Sequence, residues 1–146
     1  ADSAAIGVRM AMVEVGRTVE EGRWVGHLGP DILADDFDPA MPLPQRPVVA
    51  MLLDQRVIAG LGTMWAAETA FAAKVNPYAV GGDLDAALAH TRAQMLTSVS
   101  GARPRMQVFE RTGLPCRVCG TLIRAGRVGT APQDRVTYWC PTCQPG

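Results

Sequence analysis

Cys116-Arg117-Val118-Cys119, then twenty residues, then Cys140-Pro141-Thr142-Cys143: the four cysteines of the chain all stand in this one C-terminal stretch. A tetrahedral zinc site needs four thiolates converging at about 2.3 Å, and two residues between ligands let a tight knuckle aim both sulfurs inward. Pro115 and Pro141 stiffen the approaches, and Gly120 follows the first pair. Residues 122–123 and 136–139 are short β-prone runs. Residues 126–129 with Ala131-Pro132 supply the expected turn between them. The spacing therefore predicts a β-hairpin ribbon around one structural zinc ion, with Cys116, Cys119, Cys140 and Cys143 as ligands. Four protein ligands leave no open position for water, so the ion would build structure and not hydrolyse. It would contribute folding free energy of order 10 kcal/mol to a ribbon with little core. Two other readings stay open, a pair of structural disulfides and a redox Cys-x-x-Cys. The first suits secreted chains and the second accompanies a βαβ pattern, and neither context is read here.

Outward from the cysteines, the charge is segregated. Residues 1–90 hold six basic and twelve acidic side chains, a net of −6, whereas residues 91–146 hold eight arginines against Glu110 and Asp134, a net of +6. The formal charge of zero over 146 residues conceals this division. Arginine presents a planar fork suited to phosphate and base edges, so the C-terminal part is a candidate for nucleic-acid contact. A merely solvated basic tail is the other reading. The longest apolar run, residues 48–53, is six long, far short of the roughly 20 a membrane-spanning helix needs, and it leaves no secretory h-region. No membrane partner is expected.

The middle of the chain reads as helical. Pro44 and Pro47 open a helix near Val48, in which Val48, Met51 and Leu52 share one face and Val49, Leu53 and Val57 another. Ala59-Gly60-Leu61-Gly62-Thr63 then makes a tight turn, with Thr63 as the expected N-cap of the next helix. Met64, Ala67, Phe71 and Val75 give that helix its period, and Asn76-Pro77 ends it. A third helix is expected over 84–99, with Leu84, Leu88, Met95 and Val99 along one side and Gly101 as its stop. The amides of the 60–63 turn would point outward at the positive end of a helix dipole, which suits a phosphate. An ordinary helix joint would look the same, and the glycine pair alone does not decide.

The first thirty residues read as short strands over 6–15 and 23–27. Asp31, Asp35, Asp36 and Asp38 follow in a Pro-rich connector, and they lack the regular spacing and closing glutamate of a calcium loop. A solvated linker is expected there. His27 and His90 have no partners at ligand spacing, and Trp24, Trp65 and Trp139 read as packing residues more readily than as base-stacking platforms.

Taken together, Leu52-Leu53-Asp54-Gln55, Ala59-Gly60-Leu61-Gly62 and Ala67-Glu68 resemble the helix-two-turn-helix segment of the formamidopyrimidine-DNA glycosylase and endonuclease VIII family. Gly113-Leu114-Pro115-Cys116-x-x-Cys119-Gly120 and Arg135-Val136-Thr137-Tyr138-Trp139-Cys140-Pro141-x-Cys143-Gln144 resemble its C-terminal zinc finger. Leu28-Gly29-Pro30-Asp31 resembles the exit from its N-terminal domain, and the finger is most similar to the actinobacterial endonuclease VIII-like branch. The resemblance implies an α+β fold: trailing strands of an N-terminal domain over 1–30, a helix-two-turn-helix DNA-binding domain over 31–105, and a four-cysteine zinc finger over 106–146.

The resemblance further implies the DNA-binding portion of a base-excision-repair glycosylase and abasic-site lyase, acting on damaged double-stranded DNA as a monomer in the bacterial cytoplasm, at the nucleoid. The family's catalytic proline amine and neighbouring glutamate have no counterpart at Ala1-Asp2-Ser3, so no catalytic residue is expected in this chain, and the piece alone is expected to be inactive. DNA contacts are implied for Gly60, Gly62, Thr63 and Arg135. Arg135 matches the finger arginine that contacts phosphates, and Thr63 falls where most of the family has asparagine. Glu68 matches a glutamate of the second hairpin helix, with surface charge or helix packing as its plainer roles. The connectors at 38–47 and 100–108 look shorter than the resemblance leads one to expect. A stand-alone zinc-ribbon module without chemistry, holding nucleic acid or a protein partner, is the alternative from another class.

Overall fold

The computed structural model describes residues 26–146 and, by their backbone, residues 4–9 and 12–17. Strands β1 (Ala4–Arg9) and β2 (Met12–Arg17) pair antiparallel, and their register sets Ile6 opposite Val15 and Val8 opposite Val13. The single strand expected over 6–15 is thus two. Of the strand expected over 23–27, residues 23–25 and with them Trp24 lie outside the described residues, and residues 26–27 form a turn.

The acidic connector is not a solvated linker. Asp31 and Asp38 close local turns by accepting the amides of Leu33 (2.8 Å) and Ala40 (2.9 Å). Between these turns Ile32 and Phe37 are buried in the main core. Backbone bonds run from Ile32 N to Ala59 O (3.0 Å) and from Ala59 N to Pro30 O (2.9 Å), stitching the connector to the turn region that follows the first helix. Composition alone concealed this, because Ile32 and Phe37 stand in a stretch that also holds Asp31, Asp35, Asp36 and Asp38.

Helix α1 (Val48–Leu52) starts after Pro47 as expected but stops at one and a half turns. Asp54 ends it: its carboxylate accepts the Arg56 amide (3.0 Å) and its carbonyl the Val57 amide (2.8 Å), so the chain turns back where a longer helix was expected. Helix α2 (Thr63–Ala72) closes at Ala73, before Asn76, because Lys74 takes the left-handed conformation at φ 56°. Its N-cap is Gly62, and Thr63 is its first helical residue, which corrects the capping role expected for Thr63. Helix α3 (Asp85–Val99) buries Leu88, Thr91 and Met95 along one side, and its N-cap Leu84 is buried beside them. Val99, expected on that side, is 75% exposed, since the helix has run past the core by its last turn. Gly101 follows at φ 97°.

Strands β3 (Arg124–Val128) and β4 (Arg135–Trp139) form the second antiparallel hairpin, with Arg124 opposite Trp139 and Val128 opposite Arg135. Residues 126–128, expected as turn, lie inside β3, and the turn begins at Gly129. Gly126 is there for close packing. A Cβ at this position would run into the Tyr78 hydroxyl and lie 3.2 Å from the Trp139 ring. Tyr78 and Trp139 meet edge to face at 5.5 Å, so Trp139 is a packing residue, as is Trp65 in the main core. Among the described residues no helix is long and apolar enough to cross a membrane.

Two cores result. The larger joins the connector, the three helices and Val128, and the smaller joins Ala67 of α2 to Val108, Cys116, Ile123 and Cys140. Burial on α3 sets a first test. Leu88→Ala, at a fully buried site, should cost about 2–5 kcal/mol in urea unfolding, whereas Val99→Ala should stay within about 0.5 kcal/mol.

Candidate metal centre and nucleic-acid interface

The four cysteine sulfurs converge. Sγ of Cys116 lies 3.8 Å from that of Cys143, and Sγ of Cys119 lies 3.4 Å from that of Cys140. All four lie within 4.8 Å of one another, and all are free thiols. A tetrahedron with bonds of about 2.3 Å has edges of about 3.8 Å, so this donor set fits around one metal ion. Amides support the sulfurs: Val118 N donates to Cys116 Sγ and Cys143 N to Cys140 Sγ, each at 3.4 Å. The hydroxyl and amide of Thr121 hold the Cys119 thiol down at about 6, while burial pushes Cys140 up and Cys143 up to about 12. A bound divalent ion would displace the protons that the buried thiols keep.

The turn between α1 and α2 is built by one side chain. Gln55 Oε1 accepts the Gly60 amide (2.9 Å), and its Nε2 donates to the Leu61 carbonyl (2.8 Å). Gly60 sits at φ 100°, with Ile32 3.2 Å from where a Cβ would be, so both conformation and space select glycine. Leu61 drops into the core, and Gly62 stands exposed at the N-terminus of α2, which no side chain caps. Asp54 braces the base of the turn, bonding Arg56 (2.8 and 2.9 Å) and Arg46 (2.9 Å). These guanidinium bonds, that of Arg56 first, hold its carboxyl well below the usual carboxylate range despite partial burial.

The uncapped end of α2 and the tip of the β3–β4 hairpin face one another across a cleft of about 430 Å³. Gly62 and Thr63 line one wall and Val128, Gly129, Gln133 and Arg135 the other. Three of the four residues implied as DNA contacts therefore share one cleft, and Gly60 shapes the turn behind it. Arg135 donates from one terminal nitrogen to the carbonyls of Gln133 (2.9 Å) and Asp134 (3.1 Å), which aims the side chain along the hairpin tip. Gln55, Asp54 and Gln133 were missed as site-forming residues. The Asp54-Gln55 pair stands in the quoted helical motif, but its bonds to the glycine turn have no periodic signature. Gln133 carries no signal at all. His27 and His90 are exposed.

Two buried polar side chains join the ribbon to α2 and to the turn that follows it. Glu68 accepts the amides of Gln107 (2.9 and 3.1 Å), Val108 (2.8 Å) and Phe109 (2.9 Å). Gln144 accepts the Cys140 amide (2.9 Å) and donates to the Val75 carbonyl (2.9 Å).

No family model matches the chain. It is 39% identical over 165 aligned positions to the probable endonuclease 8 2 of Streptomyces coelicolor, a match that takes in the whole chain and 60% of that protein. It is 36% identical to the DNA-(apurinic or apyrimidinic site) lyase Nei2 of Mycolicibacterium smegmatis, over 99% of the chain and 63% of the relative. A formamidopyrimidine-DNA glycosylase of Cronobacter sakazakii is 32% identical over 88% of the chain and 56% of its own length. The chain thus spans about three fifths of these curated relatives. Among solved structures, the MutM (Fpg) protein of Thermus thermophilus superposes with a TM-score of 0.67 at 27% identity, over 90% of this chain and 60% of that one. The Lactococcus lactis Fpg, in complex with abasic-site DNA, shares the fold with a TM-score of 0.71 at 22% identity, over 92% and 59%.

The brace under the glycine turn is open to test by pH. A carboxyl held low in the folded state stabilises above its unfolded value near 3.8, and that stabilisation is lost as pH falls through the lower folded value. Asp54→Asn should therefore cost about 1 kcal/mol at neutral pH in urea unfolding. The gap to the unsubstituted chain should close only below the ordinary carboxylate range.

Proposed function

We propose that the chain, which is similar over 100%, 99% and 88% of its length to relatives named endonuclease 8 2, Nei2 and formamidopyrimidine-DNA glycosylase, is the DNA-gripping portion of a base-excision-repair glycosylase and abasic-site lyase. The observation that carries this reading is the cleft itself, where an uncapped helix end and a finger arginine approach from opposite walls. A phosphate in that cleft would meet backbone amides and a positive dipole end on one side and a guanidinium on the other. Gly62, Thr63 and Arg135 are the proposed contacts, with Gly60 and Gln55 holding the turn. The Thr63 hydroxyl is one polar group on the cleft wall where an amide side chain would offer two.

We assign one structural zinc ion to Cys116, Cys119, Cys140 and Cys143. Four thiolate donors suit zinc and leave it no open position, so its contribution is to fold the finger and present Arg135. We assign the helical DNA-binding unit to residues 31–105 and the finger to 106–146. No residue of this chain is given a catalytic role. The proposed partner is damaged duplex DNA, met by a single copy of the chain.

Two measurements test the reading. Arg135→Ala should weaken binding to any duplex about tenfold, the loss of one charged hydrogen bond, and reduce the slope of log affinity against log salt by about 0.9. An unchanged slope would remove Arg135 from the phosphate contacts. Chelation, or Cys119→Ser, should release the amides of the finger to hydrogen exchange while far-UV circular dichroism keeps the helical signal, since the larger core contains no cysteine. Loss of the helices in step with the metal would contradict the division into two units.

A further inference from the structure

Glu68 is 7% exposed and carries a carboxylate into the seam between α2 and the segment that enters the finger. Three consecutive amides, those of Gln107, Val108 and Phe109, converge on it with four bonds of 2.8–3.1 Å. Successive amides pointing to one side form a concavity that suits an anion, and here the protein's own side chain fills it. Such bonds to an ionised acceptor are among the strongest available to a backbone.

What these amides hold determines what Glu68 does. Val108 is fully buried against Ala67, Cys116, Ile123 and Cys140. The ring of Phe109 meets that of Tyr138 edge to face at 5.4 Å. Tyr138 lies on β4, the strand that Arg135 begins. On the other side, Glu68 and Thr63 stand on the same short helix. A continuous path of helix, carboxylate, loop, ring and strand therefore runs from one wall of the cleft to the other.

We propose that Glu68 is a positioning residue that sets the spacing between the uncapped end of α2 and Arg135, and so the width of the phosphate cleft. The proposal rests on the reading of that cleft as a phosphate site. It goes beyond a packing role because the bonds of Glu68 reach the finger, whereas packing of α2 onto the helical core falls to Trp65, Ala66 and Ala70.

The test compares the full chain with E68Q, which keeps the shape but sets an amide nitrogen against backbone donors. The expected E68Q chain retains one metal ion and its helical signal. Its amides at 107–109 and 135–139 exchange faster. Its affinity for a duplex carrying one abasic-site analogue falls about tenfold, with the salt slope reduced as in R135A. The double variant E68Q/R135A loses little beyond R135A alone, because both changes remove the same contact. Fully additive losses, unchanged exchange along 135–139, or loss of the metal from a folded E68Q chain would each overturn the proposal. Should E68Q not fold, E68D keeps the charge and draws the loop in by one methylene, and the same measurements decide. If the unsubstituted chain binds no duplex at low salt, the phosphate reading fails by itself, and the exchange measurement still judges the joint.

Discussion

A ribbon of two five-residue strands and two cysteine knuckles has too little apolar surface to fix its own position, so something outside it must do so. That constraint is met along α2. Its Ala67 and Phe71 supply one side of the finger's small core, and β4 packs on it. At either end of that contact, Glu68 holds the segment entering the finger and Gln144 holds the segment leaving it. The finger is thus attached at entry, at exit and through its core, all to one ten-residue helix and the turn that ends it.

The charge distribution fits the same geometry. Arginines of the basic half stand on the hairpin, yet Asp54 also lines the cleft. An uncompensated carboxylate there would repel a phosphate. Asp54 is instead bonded to Arg46 and Arg56, and those bonds hold its carboxyl well below the usual carboxylate range. The acidic half of the chain places this one aspartate at the cleft in a role that stabilises the turn without leaving net negative charge on its wall.

Much of the candidate site was legible in the sequence because its parts are local. The four cysteines, the glycine pair and Arg135 announce themselves by spacing or by type, and the relatives support the family resemblance they carry. Helix ends were less legible. Val57 and Val75 continue an apolar period, but the turn at Asp54 and the left-handed Lys74 stop the helices first, and neither leaves a mark in a hydrophobic pattern. The connector misled because its buried apolar residues, Ile32 and Phe37, lie in acidic surroundings. The Streptomyces relative aligns over more positions than this chain has residues, so it carries insertions absent here. Glu68 was visible as a residue but not as a clamp, since its partners are backbone amides about forty positions away.

That last failure has a physical cause. Periodicity finds a helix by the contrast between a buried face and a wet one. Helix α2 has no wet face over most of its length, because Trp65, Ala66 and Ala70 enter the larger core while Ala67 enters the smaller one. Alanines let both cores approach the helix axis closely, at the expense of the amphipathic stripe. Polar residues caught between the two cores must then find partners inside. Thr69 bonds the Trp65 carbonyl and the Thr91 hydroxyl, both at 2.7 Å, and so ties α2 to α3. Glu68 turns the other way and ties α2 to the finger. Two adjacent buried polar residues thus reach in opposite directions from one helix, Thr69 to its helical neighbour and Glu68 to the finger.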